Sequence, residues 1–516
     1  MAQLIDTDVL VIGAGPIGLS AAHLMADQGL KVTLVEKNPG TSDLPRAISA
    51  TDETLRVMAE IGIMDRLGPE MLLNTGARYF GRNEQLLAEI HPARMVLGQP
   101  GKNQFDQPVM ENLLHEAAQN KPNIDLRFNT EAFTIRETKT GAETVLITEE
   151  GKALVHSKWV VAADGGRSPI RAQLGITLEG STQVQKWIVV DILNSDPAPE
   201  PFSEFHCNGS RPVVIVPGVK SRRRYEFMLL PGESEEKATT TDFIIGLIAP
   251  YEKVAPADIR RAAVYVAHQR IAATFRRGRV ILIGDAAHLM PPFAGQALNA
   301  GVRDAANIAW KLAANIREGA PETLIDTYEQ ERRPHAADMV RLSHLIGKVV
   351  MATNTPLVLA RDIGIRASGL FPPLKKWITE MRFLRQPRYT AGCVLPSAKS
   401  QGAAAQLVGS SVPQPLIGVA EHGEVPLDHL LGSSWALVRI LPDRTLEILA
   451  LGSGRALTRG TDRSGLFDHL PTGTTLIIRP DRYVAAATDR AGEKTALRDL
   501  TDLVPSLTPE HLNIPA

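Results

Sequence analysis

Cysteine is nearly absent: Cys207 and Cys393 are the only two in 516 residues, far apart and outside any CxxC or Cys/His ligand spacing. Neither a disulfide framework nor a metal centre is expected, and a reducing, cytoplasmic setting suits the chain. Long apolar runs are missing too. Nothing approaches about 18 consecutive apolar residues, and the first apolar stretch is short and flanked by acids, so export and membrane spanning are not expected. Excess charge of either sign is also lacking, since 56 basic against 57 acidic residues leave a formal net charge of −1. That balance offers no electrostatic reason to expect nucleic acid or an anionic membrane as partner. A local run such as Arg222 to Arg224 is most often a solvated face or a strand-edge charge. What remains is a chain 44% hydrophobic and 22% charged, long enough to bury a substantial core in two or three domains.

Three strand-and-turn segments stand out against this background. Val280 to Ile283 is an apolar strand that runs into Gly284-Asp285 and a loop reaching Gly301, after which an apolar helical face (Val302, Ala305, Ala306, Ala309, Leu312, Ala313, Ile316) begins. An acid at a strand end can accept hydroxyl hydrogen bonds, and glycines beyond it let backbone N–H groups approach a ligand, so Asp285 is a candidate ribityl or ribose ligand. His288 is expected to support the turn, and Pro291 and Pro292 to stiffen the loop.

At the N-terminus, Val9 to Ile12 leads into Gly13-Ala14-Gly15-Pro16-Ile17-Gly18 and a helix of small residues. Gly13 permits the tight turn, Gly15 lets a pyrophosphate come near the backbone, and Gly18 allows close helix-to-strand packing. A second strand, Lys31 to Val35, ends in Glu36, where an acid meets the ribose hydroxyls of an adenosine and disfavours a 2′-phosphate. The site thus suits FAD or NAD rather than NADP. A third strand, Trp159 to Ala163, runs into Asp164-Gly165-Gly166-Arg167-Ser168, which simple NAD dehydrogenases do not need.

With these three motifs in order, the chain resembles the class A flavoprotein aromatic hydroxylases. The resemblance implies that Gly13, Gly15, Gly18 and Glu36 bind the ADP half of FAD. It implies that Asp164 serves both FAD and a passing nicotinamide, and that Asp285 holds the ribityl chain. It adds Arg46 in Leu44-Pro45-Arg46-Ala47 and Gln107 in Asp106-Gln107-Pro108 as FAD contacts, with Pro292, Gly295, Ala297, Leu298 and Asn299 beside the flavin. Ala294 and Ala297 depart from the pattern, standing where many relatives have glycine. The segment Arg223-Arg224-Tyr225-Glu226-Phe227-Met228-Leu229-Leu230-Pro231-Gly232-Glu233 looks like the 3-(3-hydroxyphenyl)propionate hydroxylase branch. The likeness is strong over about three quarters of the chain and weak beyond.

The fold class expected is α/β: a Rossmann-type FAD-binding domain from residues 1–180 and 276–345, with an inserted β-rich substrate domain at 181–275 and a helical cover at 346–390. Residues 391–516 resemble the thioredoxin-like C-terminal domain of larger hydroxylases, here without CxxC, and are assigned to structure or oligomerisation, with a homodimer left open. In the middle segment, Trp187 to Leu193, Val213 to Val216, Tyr225 to Leu230 and Phe243 to Ile248 read as strands. Ala257 to His268 reads as a helix from the spacing of Ile259, Ala262, Ala263 and Val266, and Ile325 to Leu345 as another. Arg479-Pro480-Asp481-Arg482 reads as a hairpin turn between Thr474 to Ile478 and Tyr483 to Ala487.

The chemistry implied by the resemblance is reduction of FAD by NAD(P)H, then addition of O₂ to give a flavin C4a-hydroperoxide that hydroxylates an electron-rich ring. The partners are a small aromatic substrate and O₂. Candidate catalytic residues are Arg46, Arg224 and Glu226; by the period of two, Glu226 shares a strand face with Arg224 and could pair with it or touch substrate. His206 and Tyr225 read as packing residues with satisfied polar tips. Alternatives are a hydroxylase or epoxidase of a polycyclic polyketide, which the 5% aromatic content does not separate from a phenol hydroxylase, and a noncatalytic flavoprotein that sequesters an aromatic ligand. A halogenase is disfavoured because its Trp-rich motif is absent, and Trp310, on a helix, is expected to have no nearby tryptophan partner.

Overall fold

The computed structural model describes residues 3–91, 95–195, 200–379, 386–395, 402–420, 423–452 and 456–508, so parts of the expected 346–390 cover and 391–516 unit lie outside the described residues. The apolar runs behind the three motifs are neighbours in one sheet. Strands Val280–Leu282, Gly151–Ala162, Gln3–Ile12 and Val32–Val35 lie side by side and parallel, with Ile12 level with both Ala162 and Val35 and Ala162 level with Leu282. Parallel strands are covered on both faces, which is why these read as unbroken Val/Ile/Leu stretches; Val9, Leu10, Val11, Val160, Val161 and Leu282 are fully buried. Equal register brings the turns at Gly13, Glu36, Asp164 and Gly284 to one rim, at the carboxyl ends of the strands, where α/β sheets bind ligands. Helices Pro16–Asp27 and Ala297–Glu318 pack together on this sheet. Their closeness needs Gly301, where a Cβ would meet Ile17 Cδ1 at 2.7 Å.

A second sheet of eight strands stands over that rim, in the order His288–Leu289, Ile259–Ala272, Leu178–Ile192, Arg223–Met228, Val213–Pro217, Phe202–His206, Gly76–Phe80 and Leu86–Ile90. Two expectations fail here. Residues 257–268 do not form a helix: Ile259–Ala272 is a long strand, paired antiparallel with Leu178–Ile192 from Leu178–Ala272 to Ile192–Ile259. Its apolar residues satisfy both periods, and cross-strand pairing decided the outcome. Conversely, Phe243 to Ile248 lies in a helix, Thr241–Ile248, which buries Ile244 and Ile248 four residues apart. A short apolar run carries no period of its own. Strands Gly76–Phe80 and Leu86–Ile90 join this sheet from far earlier in the chain.

Helix Glu322–Val350 includes the expected Ile325 to Leu345. The C-terminal residues form a seven-stranded sheet in which every recorded pairing is antiparallel, and the Thr474–Ile478/Val484–Asp489 hairpin turns where expected, with Arg482 at φ 67°. Trp310 does meet a tryptophan: Trp435 of this sheet packs edge-on at 5.5 Å between ring centroids. Among the described residues no helix is long and apolar enough to cross a membrane, and no group of His, Cys, Asp and Glu could hold a metal ion.

Candidate active site

The first turn is built by steric exclusion. Gly13 has φ 101° and a Cβ there would sit 2.6 Å from Ala163 O; at Gly18 it would sit 1.8 Å from Gly13 O. At Gly15 it would meet nothing within 4 Å. Two glycines thus fit strand, turn and helix together, while the third leaves an open cradle at a helix N-terminus, suited to a pyrophosphate. Glu36 secures the rim, its carboxylate accepting the Ala14 N–H at 3.0 Å and the N–H and side-chain amide of Asn38 at 3.0 and 2.6 Å. One oxygen of Asp164 accepts the Ile170 N–H at 3.1 Å, while the other is buried without a protein partner among the described residues. Burial raises the Asp164 pKa.

From this cradle a cavity of about 370 Å³ runs between the parallel sheet and the second sheet. Gly15, Arg46, Gln107 and Asp285 line it, as do Pro292, Gly295, Ala297 and Leu298 of the following loop and Arg224 and Glu226 of the second sheet. Asp285 stands open to the cavity, yet the surrounding protein withdraws enough water to raise its pKa. Behind it, His288 Nε2 lies 2.7 Å from Asp304, which also accepts the Gly284 N–H at 3.0 Å and Arg332 Nε at 2.8 Å. Burial would raise Asp304, but His288 and Arg332 hold it below the ordinary carboxylate value. The turn is therefore braced from within the core. Glycine cradle, ribose-level acid and open carboxylate together match the chemistry of FAD's phosphates and hydroxyls.

The family described as FAD binding domain matches residues 6–343. The chain belongs to this FAD-binding family. A 3-(3-hydroxy-phenyl)propionate/3-hydroxycinnamic acid hydroxylase of Mycolicibacterium smegmatis is 37% identical over 512 residues, 93% of this chain and 90% of that one. Among solved structures, a ternary complex of aklavinone-11 hydroxylase with FAD and aklavinone superposes with a TM-score of 0.75 at 25% identity, covering 97% of this chain and 99% of that one. A p-nitrophenol 4-monooxygenase of Pseudomonas putida gives 0.68 at 26% identity, covering 74% and 98%. The chemistry of this FAD-binding chain is that of a flavin-dependent aromatic-ring monooxygenase.

Within the family's frame, the loop at 42–47 is held from several directions. Gln107 Oε1 accepts the Ala47 N–H at 2.6 Å and its amide donates to Glu111, which takes the Ser42 N–H at 3.1 Å. Arg224 donates to the carbonyls of Arg46, at 2.7 Å, and Pro45, and Arg261 donates to Pro45 O at 2.8 Å. The Arg46 side chain is exposed to the cavity, with no ion-pair partner among the described residues. Arg224 does not pair with Glu226; its guanidinium spans both oxygens of Asp191, at 2.6 and 3.1 Å. Glu226 instead accepts the Tyr265 hydroxyl at 3.1 Å, and burial raises its pKa. Asn299 lies one layer behind the cavity wall, its amide joining Gly295 O at 2.6 Å to Thr51 and Thr54. His206 bonds Glu84 and Glu204, and Tyr225 bonds Glu252, so both are engaged in the protein.

Sequence reasoning missed the far wall, where Tyr79, Lys102, Gln104, Ser203 and Phe205 line the cavity. They come from three separate segments and carry no motif. Only strand pairing, such as Phe202 with Gly76 and Ser49 with Gln104, brings them together.

Proposed function

We propose that the chain uses NAD(P)H and O₂ to hydroxylate a small phenolic acid with a single ring. The cavity carries this reading: about 370 Å³ lies at the small end of ligand sites, and the flavin ring must share it with the substrate. Its walls support the same view, since Ala77, Tyr79, Phe205, Val214, Val216 and Phe293 exclude water and offer flat apolar contact. When bound, FAD supplies the reductive activation of O₂ and the transfer of one oxygen atom. The chain's own residues bind, orient and move the proton. Gly15, Glu36, Asp164, Gln107 and Asp285 would hold the cofactor's phosphates and hydroxyls, with Asn299 fixing the loop beside it. Arg46 offers a cation to the flavin side, and Arg224 sets the position of the loop that carries it. Glu226, buried and held by Tyr265, is placed to take the substrate's phenolic proton, because a phenolate ring is the better nucleophile.

A second reading, hydroxylation of a polycyclic polyketide, is favoured by the whole-chain match to the aklavinone hydroxylase, C-terminal sheet included. We assign residues 391–516 a structural, non-redox role, supported by the burial of Cys393 and the absence of a second cysteine within them. The test is NAD(P)H oxidation by FAD-loaded protein across one-ring phenols, phenolic acids and polycyclic phenols, with mass detection of product. Stimulated oxidation with a one-ring product gaining one oxygen is expected. Turnover confined to polycyclic phenols would replace this reading with the second, and binding without oxidation would make the protein a sequestering flavoprotein.

A further inference from the structure

The far wall of the cavity holds a cation with no anion. Lys102 Nζ donates to Gly76 O at 2.9 Å and to Ser203 Oγ at 3.0 Å, and no carboxylate pairs with it among the described residues. An ammonium has three N–H donors, so one remains for the cavity that Lys102 lines. Ser203 Oγ accepts a second hydrogen bond, from the Gln104 amide at 3.4 Å, and no acceptor for its own O–H is found among the described residues. Gln104 is 1% exposed, lines the same cavity, and its Oε1 has no partner. Lys102 and Gln104 thus both donate to the Ser203 hydroxyl, leaving a free donor on Lys102, a free donor on Ser203 and a free acceptor on Gln104. Beyond Thr75, whose hydroxyl takes the Gln104 amide at 3.3 Å, the wall turns apolar: Tyr79 stacks on Phe205 at 4.6 Å between centroids, and Val214 and Val216 follow. A cation half-buried in such surroundings is costly unless an anion accompanies it. Of the other cations lining the cavity, Arg224 is committed to Asp191, while Arg46 stands by the cofactor turn, where its charge acts on Asp285.

We propose that Lys102 and Ser203, the latter held by the Gln104 amide, receive the carboxylate of the aromatic substrate and so determine which end of the ring is turned toward the flavin. This rests on the phenolic-acid reading above. Two carboxylate oxygens suit the two free donors, the third N–H of Lys102 and the Ser203 O–H, and the ring is then left against Tyr79 and Phe205. Burial lowers the Lys102 pKa to about 7, so a bound anion also serves to keep the amine protonated.

The experiment compares 3-(3-hydroxyphenyl)propionate with its uncharged primary amide on FAD-loaded full-length protein. Kd is read from the flavin absorbance change, and kcat and KM from turnover. Wild type is expected to prefer the carboxylate, and Lys102→Met to weaken carboxylate binding by about 30- to 100-fold while changing amide binding by less than about 3-fold. Equal losses for both ligands, or an unchanged preference, would overturn the assignment, as would a wild type that prefers neither. Should Lys102→Met fail to retain FAD, Ser203→Ala gives the same comparison, with a selective loss of about 5- to 10-fold expected and an equal loss overturning it. Selective carboxylate binding without hydroxylated product would leave Lys102 in this role and end the hydroxylase reading. Hydroxylation with unaltered selectivity in the variant would do the reverse.

Discussion

Glu331 and Arg479, 148 residues apart and fully buried, form a two-pronged ion pair with both N–H···O distances at 2.9 Å. Glu331 also takes Lys311 Nζ at 2.9 Å and the Cys393 N–H at 2.8 Å, so one carboxylate ties the long helix Glu322–Val350 to the C-terminal sheet. Removing Glu331 leaves Lys311 buried without a counter-charge among the described residues, while Arg479 keeps only Asp481. Glu331→Gln should cost about 3–5 kcal/mol, read as a lower denaturant midpoint and earlier proteolysis within residues 391–516. A loss below about 1 kcal/mol would show that the pair carries little of the docking.

The same carboxylate sets an acid limit. Burial alone would raise its pKa, but Arg479 and Lys311 overcome that and hold it at about 2, below its ordinary 4.5. A depressed carboxylate contributes stability that is complete above the unfolded value and is lost as pH falls from 4.5 toward 2. Thermal midpoints measured across that window should fall steeply in wild type and less steeply in Glu331→Gln. Parallel curves would assign acid sensitivity to other groups.

The glycines of the first turn should separate by role. Gly18→Ala forces a Cβ to 1.8 Å from Gly13 O and should yield little folded protein. Gly15→Ala meets no protein atom within 4 Å, so its apoprotein should be as stable as wild type while FAD binds at least about 10-fold more weakly. Titration of apoprotein with FAD decides it, and unchanged affinity would remove Gly15 from the cradle.

Arg46 and Arg224 touch the same loop in different ways. Arg46→Ala should leave stability within about 0.5 kcal/mol and weaken FAD by about 10-fold, because its side chain faces the cavity without an ion-pair partner among the described residues. Arg224→Met should instead destabilise the protein, since Asp191 is then left buried with only Arg261 at 3.7 Å. Chemical denaturation beside FAD titration would show whether the two effects divide in this manner.

Glu226 gives a pH signature for turnover. In its proposed role as proton acceptor Glu226 works deprotonated, and burial raises its pKa, so kcat should climb with pH through a value above the ordinary 4.5. Glu226→Gln should lower kcat by about 10- to 100-fold and abolish that limb. Survival of the limb in the variant would move the base elsewhere.

Much of the cofactor side was legible in the chain. A glycine that must take φ 101°, an apolar strand before it and an acid after the next strand are local demands, met within a few residues, and steric exclusion enforces them wherever the segment lies. The hairpin at Arg479 to Arg482 was legible for the same reason. Residues 243–248 and 257–268 were misread because apolar side chains at those spacings suit either period, and the choice fell to partners such as Leu178–Ile192, some 80 residues away. Lys102, Gln104 and Ser203 left no trace in sequence, since nothing in their own segments requires a lysine in an apolar wall. Sequence by itself determined the cofactor turns, because backbone sterics act over a few bonds. Tertiary structure alone decided the far wall of the cavity, because burial and the absence of a counter-charge exist only after distant strands have paired.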